Sequence, residues 1–186
     1  MKIDRRDALA GIAAMFGASM YAPLARALAS DTTPISSGPP SVSVFTPQQR
    51  ALMTALSERV MPTTDTPGAI TAGVPEFIEK LLADWSYPAD RKPIVEGLDA
   101  IEARSQADYG VAGAQASAAQ QDALLTLAME DKFPGGKTFF EAFRQLVITG
   151  YFTSEVGIMQ EREYLPVPGR YDGAYLYSEV NKVFSS

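Results

Sequence analysis

TFFEAFRQLVITGY (residues 138–151) carries Phe139, Phe140, Phe143, Leu146, Val147 and Tyr151, a spacing that returns to the same side every three or four positions. That is the repeat of an α-helix with a broad apolar side. A side this wide has to be covered on most of its perimeter. The stretch therefore predicts the central helix of a bundle, and the question becomes which segments surround it.

Upstream, Pro134-Gly135-Gly136 is a break. Before it, Ser117-Ala118-Ala119-Gln120 has the form of a capping box and opens a helix carrying Leu124, Leu127 and Ala128 inward. Residues 110–116 read as a Gly/Ala turn, preceded by a helix over 90–107 with Ile94, Val95, Leu98 and Ile101 buried. VPEFIEKLLADW (74–85) is the clearest amphipathic segment. Phe77, Ile78, Leu81, Leu82 and Trp85 share one face, and Glu76, Glu79, Lys80 and Asp84 the other. TTDTPGAITAGVP (63–75) is a loop in which Pro67-Gly68 suits a type II turn. Thr46-Pro47-Gln48-Gln49 is a second capping box with proline at the first helical position. Its helix runs to Val60, with Leu52, Leu56, Arg59 and Val60 on one side and Pro62 as the stop. No strand-like alternation extends beyond a few residues, and no segment repeats. The expected fold is all-α, a single small helical bundle over residues 46–186 that ends in an extended Pro/Gly/Tyr-rich arm from about residue 160.

The first 29 residues read as an export signal: Lys2, Arg5 and Arg6, a mildly apolar run from Ala8 to Ala22, and small residues at Ala27 and Ala29, with cleavage expected after Ala29. The Arg5-Arg6 pair before a weakly hydrophobic stretch resembles a twin-arginine signal, the route for folded cargo. Asp4 and Ala8 depart from that pattern, and Leu9 fits it. The apolar run is too short and too rich in Ala and Gly to favour an anchoring helix. Residues 30–45, rich in Ser, Pro, Thr and Gly, read as a flexible linker.

Across its 186 residues the chain has 46% hydrophobic and 20% charged residues, the balance of a folded protein, and a net charge of −6. Cleavage after Ala29 would take away four positive and two negative charges, leaving −8. Nucleic acid is not an expected partner, because phosphate neutralisation needs clustered Lys and Arg. The chain contains no Cys and no His. Thiolate zinc or iron–sulfur ligation, covalent haem attachment and Ser–His or Cys–His triads are thereby excluded. GGKT (135–138) lacks the upstream glycine of a phosphate-binding loop, Asp131 standing in its place. Asp65 within TDTPG reads as a turn residue. The carboxylate pairs Glu161/Glu163 and Glu130/Asp131 read as solvated surface. No catalytic, cofactor or metal site is expected in this chain.

LPVPGRYDG (165–173) is different. Its prolines preset the backbone, which lowers the entropy lost on docking. Aromatics and arginine are the side chains on which protein interfaces concentrate binding energy. Residues 164–173 fully extended would reach roughly 30 Å. Tyr151, Phe152, Tyr164, Pro166, Pro168, Arg170 and Tyr171 are accordingly the expected partner-contact residues, and Arg5 and Arg6 the expected export determinants. An arm wrapped on its own bundle, in a free-standing exported helical binding or structural protein, is the alternative. A carboxylate-based enzyme acting alone is a third reading, for which the sequence supplies no converging acid pair.

RVMPTTDTPGAITAGVPEFIE (59–79) and GYFTSEVGIMQEREYLPVPGRYDG (150–173) together resemble the gluconate 2-dehydrogenase subunit 3 family, from about Phe45 to the C-terminus, with little signature over 86–135. The resemblance implies a small helical, non-catalytic subunit bound to a large flavoprotein of the glucose–methanol–choline type that oxidises a sugar or sugar acid. FAD would reside in that partner, and haem c in a further c-type cytochrome subunit where one accepts the electrons. It also implies that the small subunit aids maturation and carries the twin-arginine signal to the export machinery for both chains. The expected location is the periplasm, reached as a folded complex, with membrane association through a partner.

Overall fold

The computed structural model describes residues 38–164 together with Leu176, Ser178, Phe184 and Ser185. Among them are five α-helices: α1 (Pro47–Val60), α2 (Val74–Asp84), α3 (Pro88–Tyr109), α4 (Ala118–Met129) and α5 (Gly136–Phe152). The export residues Arg5, Arg6, Ala27 and Ala29, and the arm residues Pro166, Pro168, Arg170 and Tyr171, lie outside the described residues.

Both capping boxes form. Thr46 Oγ1 accepts from Gln49 N–H at 3.2 Å and Gln49 Oε1 accepts from Thr46 N–H at 2.9 Å. Ser117 and Gln120 repeat the pattern at the head of α4. The helix expected over 90–107 starts earlier, at Pro88, and runs through Pro93. Pro88 suits a first helical position. Pro93 comes soon enough after it that the ring disturbs only the opening turns of a 22-residue helix. Gly110, at φ 69°, ends it.

α5 is the central element and packs against all four other helices. Its Phe139, Phe143, Val147 and Tyr151 are buried among Leu52, Leu56, Ile78, Leu98 and Leu124. The Phe139 and Phe143 rings stack with centroids 5.4 Å apart. α3 reaches α5 closely because Gly97 lacks a side chain: a Cβ there would lie 2.2 Å from the Phe139 ring. At the head of α5 the Asp131 carboxylate accepts the Lys137 N–H at 3.1 Å, so the protein's own anion occupies the place a phosphate would need.

Three readings are corrected. Trp85 does not join the buried face of α2; it is 68% exposed. It stands at the C-cap with φ −120°, beyond the last helical residue, so the helical spacing no longer governs where it points. Glu79, expected on the polar face, is buried and pairs with Arg50 across α1 and α2. The end of the presumed linker is anchored. Phe45 is in the core, Ser41 N–H donates to Asp84 at 2.8 Å, and Lys80 donates to the Pro39 carbonyl at 3.3 Å. Lys80 and the two Ser41 donors hold the Asp84 carboxyl at a pKa of about 2.

After α5 the chain makes a single π-helical turn, Gly157–Glu161, and a two-residue strand β1 (Glu163–Tyr164) that pairs in parallel with β2 (Phe184–Ser185). Two residues are too few to show alternation in sequence. Glu163 thereby stands opposite Phe184, and Tyr164 opposite Ser185.

Candidate functional site

Residues 59–79 and 150–164, drawn from the two sequence stretches singled out above, meet where the loop before α2 touches the end of α5. The loop is first organised from within. Glu58, in the last turn of α1, accepts from Thr63 N–H (2.9 Å), Thr63 hydroxyl (2.7 Å) and Ile70 N–H (3.0 Å). Burial pushes the Glu58 carboxyl up, but the bonds from Ile70 and Thr63 and the charge of Arg59 outweigh it and hold its pKa below the ordinary value. Gly68 closes the loop, yet not as the type II turn the Pro-Gly pair predicts, since it is not among the positive-φ glycines. Space is what it supplies. A Cβ on Gly68 would sit 2.2 Å from Glu58 Oε1 and 2.6 Å from Thr63 N.

Tyr151 then ties the loop to α5. It is only 2% exposed, and its hydroxyl donates to the Pro67 carbonyl at 2.8 Å, with Thr66 Oγ1 at 3.4 Å. Thr66 in turn donates to Glu161 at 2.7 Å, linking the loop to the π turn. The chain can fold back over the end of α5 because Gly157 has no Cβ, which would lie 2.1 Å from the Tyr151 carbonyl oxygen. Ser154 Oγ braces this reversal, accepting from Gly157 N–H and donating to Tyr151 O.

The expected contact residues separate on this frame. The Tyr151 ring is in the core and its hydroxyl is engaged, so among the described residues it fixes the loop. Phe152 is half-buried, edge-on to Tyr151, with the Arg162 guanidinium 5.0 Å above its ring. Tyr164 is 42% exposed at the start of the arm. Ile70 and Met159, on the loop and the π turn that Thr66 and Glu161 join, are also exposed apolar side chains. A groove of about 450 Å³ runs alongside, between Gly73, Glu76 and Phe77 of one stretch and Gly150, Thr153 and Glu155 of the other.

Sequence reasoning did not find Glu58, Thr66, Glu161 or Arg162 as parts of this junction. Gly68, Gly150 and Gly157 were its visible trace, since each permits a close approach. The candidate carboxylates are occupied structurally: Asp65 accepts from the Thr64 hydroxyl, Asp131 caps α5, and Glu161 holds Thr66. Among the described residues no three His, Cys, Asp or Glu side chains converge as metal ligands. Nor is any described helix long and apolar enough to cross a membrane.

Residues 47–169 match the model of the family described as gluconate 2-dehydrogenase subunit 3. The chain belongs to that family. The matched span begins at the first residue of α1 and takes in the junction and the first half of the LPVPGRYDG segment. Comparison with curated proteins and with solved structures returned no match. Membership makes the chain a small subunit of a dehydrogenase complex. The junction then reads as a surface of that subunit, formed by two segments that sequence separates and tertiary packing joins.

Proposed function

We propose that this subunit is non-catalytic and serves as the export and maturation escort of a periplasmic FAD-dependent sugar or sugar-acid dehydrogenase of the glucose–methanol–choline type. The observation that carries the reading is the junction itself. Tyr151 and Glu161 are spent on immobilising the 61–70 loop, which leaves Phe152, Arg162 and Tyr164 as a rigid base from which the arm departs. A firm base with a proline-stiffened continuation suits a subunit that must hold a large partner through translocation. FAD belongs to the large subunit in this reading, and haem c to a cytochrome subunit where the complex has one. Pro166, Pro168, Arg170 and Tyr171 contact the flavoprotein, and Arg5 and Arg6 direct the pair to the twin-arginine machinery.

The test is co-expression of the full-length chain, affinity-tagged, with a glucose–methanol–choline-type flavoprotein dehydrogenase of the same source. The expected result is co-purification of an FAD-containing complex, reduced by Arg170→Ala with Tyr171→Ala. Replacing Arg5 and Arg6 by lysine is expected to leave the dehydrogenase activity in the cytoplasm. A stable monomer that retains no flavoprotein, or periplasmic activity undiminished by the lysine pair, would overturn the reading.

A further inference from the structure

The two most exposed aromatic side chains among the described residues stand two positions apart: Trp85, 68% exposed, and Tyr87, 79%. They follow the C-terminal end of α2. Eleven helical residues put about 16 Å between that end and the one that carries the junction loop. The turn that bears the two rings is braced from several sides. Arg91 Nη2 donates to the Ala83 carbonyl at 3.1 Å and to the Ser86 carbonyl at 2.8 Å. Ser86 N–H donates to Leu81 O at 3.2 Å, and Asp90 N–H to Tyr87 O at 3.0 Å. Pro88 confines Tyr87 to extended backbone, at φ −68° and ψ 152°. Arg91 Nε is buried without a partner, so the brace costs desolvation of part of a guanidinium. Two large rings are thus presented on a fixed backbone, which lowers the entropy lost when they are covered.

What covers them is indicated by where the described chain begins. Ser41 N–H and hydroxyl bond to Asp84 and Ala83, and the Pro39 carbonyl accepts from Lys80, so the strap from residue 38 is tied beside the turn. Val42 on that strap is a third exposed apolar side chain. In the export reading, the segment preceding the strap goes to a membrane. Trp and Tyr are the side chains enriched at a lipid–water boundary, their rings toward the acyl chains and their N–H and O–H groups among the headgroups. Charge does not oppose such a contact: Lys80 pairs with Asp84, Lys92 with Glu96, and Arg91 follows Asp90. We infer that Trp85 and Tyr87 seat this end of the chain in the lipid interface while the N-terminal segment is attached. Weak membrane signals hold firmly only in pairs, so loss of the segment would leave a single contact that releases. The inference rests on the export function proposed above.

Trp85 is the chain's sole tryptophan, so its fluorescence reports on this turn alone. The full chain is mixed with vesicles of phosphatidylethanolamine and phosphatidylglycerol, with and without lipid brominated on its acyl chains. The expected result is a blue shift of the emission and strong quenching by the brominated lipid, both persisting at raised salt. Both residues are exposed, so Trp85→Ser with Tyr87→Ser keeps the fold. That double variant is expected to partition onto vesicles on the order of tenfold more weakly in co-sedimentation. Emission that vesicles leave unmoved overturns the lipid contact, as does a double variant that sediments like the wild type. Either outcome leaves the export function standing, which the lysine replacements of Arg5 and Arg6 test separately. Emission that shifts with protein concentration in the absence of vesicles assigns the rings to a second copy. Loss of flavoprotein from the co-expressed complex of the double variant assigns them to the large subunit. Both of these results overturn the inference.

Discussion

Replacing Tyr151 by phenylalanine removes a single oxygen and separates two roles the residue could have. The ring stays in the core, where it is 2% exposed, and keeps its edge-on contact with Phe152. What is lost is the bond to the Pro67 carbonyl at 2.8 Å and the longer approach to Thr66 at 3.4 Å. A net hydrogen bond contributes about 1 kcal/mol, and an acceptor left without its donor adds up to about 1 kcal/mol more. Pro67 is half-buried, so water can meet part of that need, and the expected loss is about 1–2 kcal/mol. For a chain of this size that corresponds to roughly 2–8 °C in Tm. Tyr151→Ala adds the cavity of a missing aromatic ring and should cost about 3–5 kcal/mol. Urea or thermal unfolding of the full chain reads both numbers. Hydrogen exchange at Ala69 and Ile70 tests the mechanism, since loosening of the loop should appear there first. The reasoning fails if Tyr151→Phe leaves stability and loop exchange unchanged while weakening the complex, for then the hydroxyl would belong to the partner contact.

Two further outcomes follow from the packing and the charges. Gly97→Ala drives a methyl to 2.2 Å from the fully buried Phe139 ring and should destabilise by about 3 kcal/mol or more, against roughly 1 kcal/mol or less gained from helix propensity, as read by denaturant titration. Glu58 has its pKa lowered on folding, so its contribution is complete above the ordinary glutamate range and is lost as pH falls through the folded value. Unfolding titrations in that acidic window should show wild type losing stability faster than Glu58→Gln. Parallel curves would refute the assignment of that carboxylate to the loop.

The elements that were readable in the sequence are those set by local physics. The capping boxes at Thr46 and Ser117 place two helix starts because their bonds close within four residues. The spacing of Phe139, Phe143, Val147 and Tyr151 identifies the central helix because one helical face needs no knowledge of what covers it. Trp85 escaped the same logic: it follows the last helical residue, and the face it would have joined had already ended. Phe45 and Ser41 escaped it as well, because a Ser/Pro-rich segment carries no period by which to recognise that it lies along α2.

Residue order and spacing alone were enough for the all-α class, the central place of α5 and the absence of thiol and imidazole chemistry, since each depends on what residues are present and how near they stand in the chain. The direction in which Tyr151 points and the union of the 59–79 and 150–164 segments depended on contacts more than eighty residues apart in sequence. Such contacts follow from which helix faces pack together, and no short-range pattern encodes that choice.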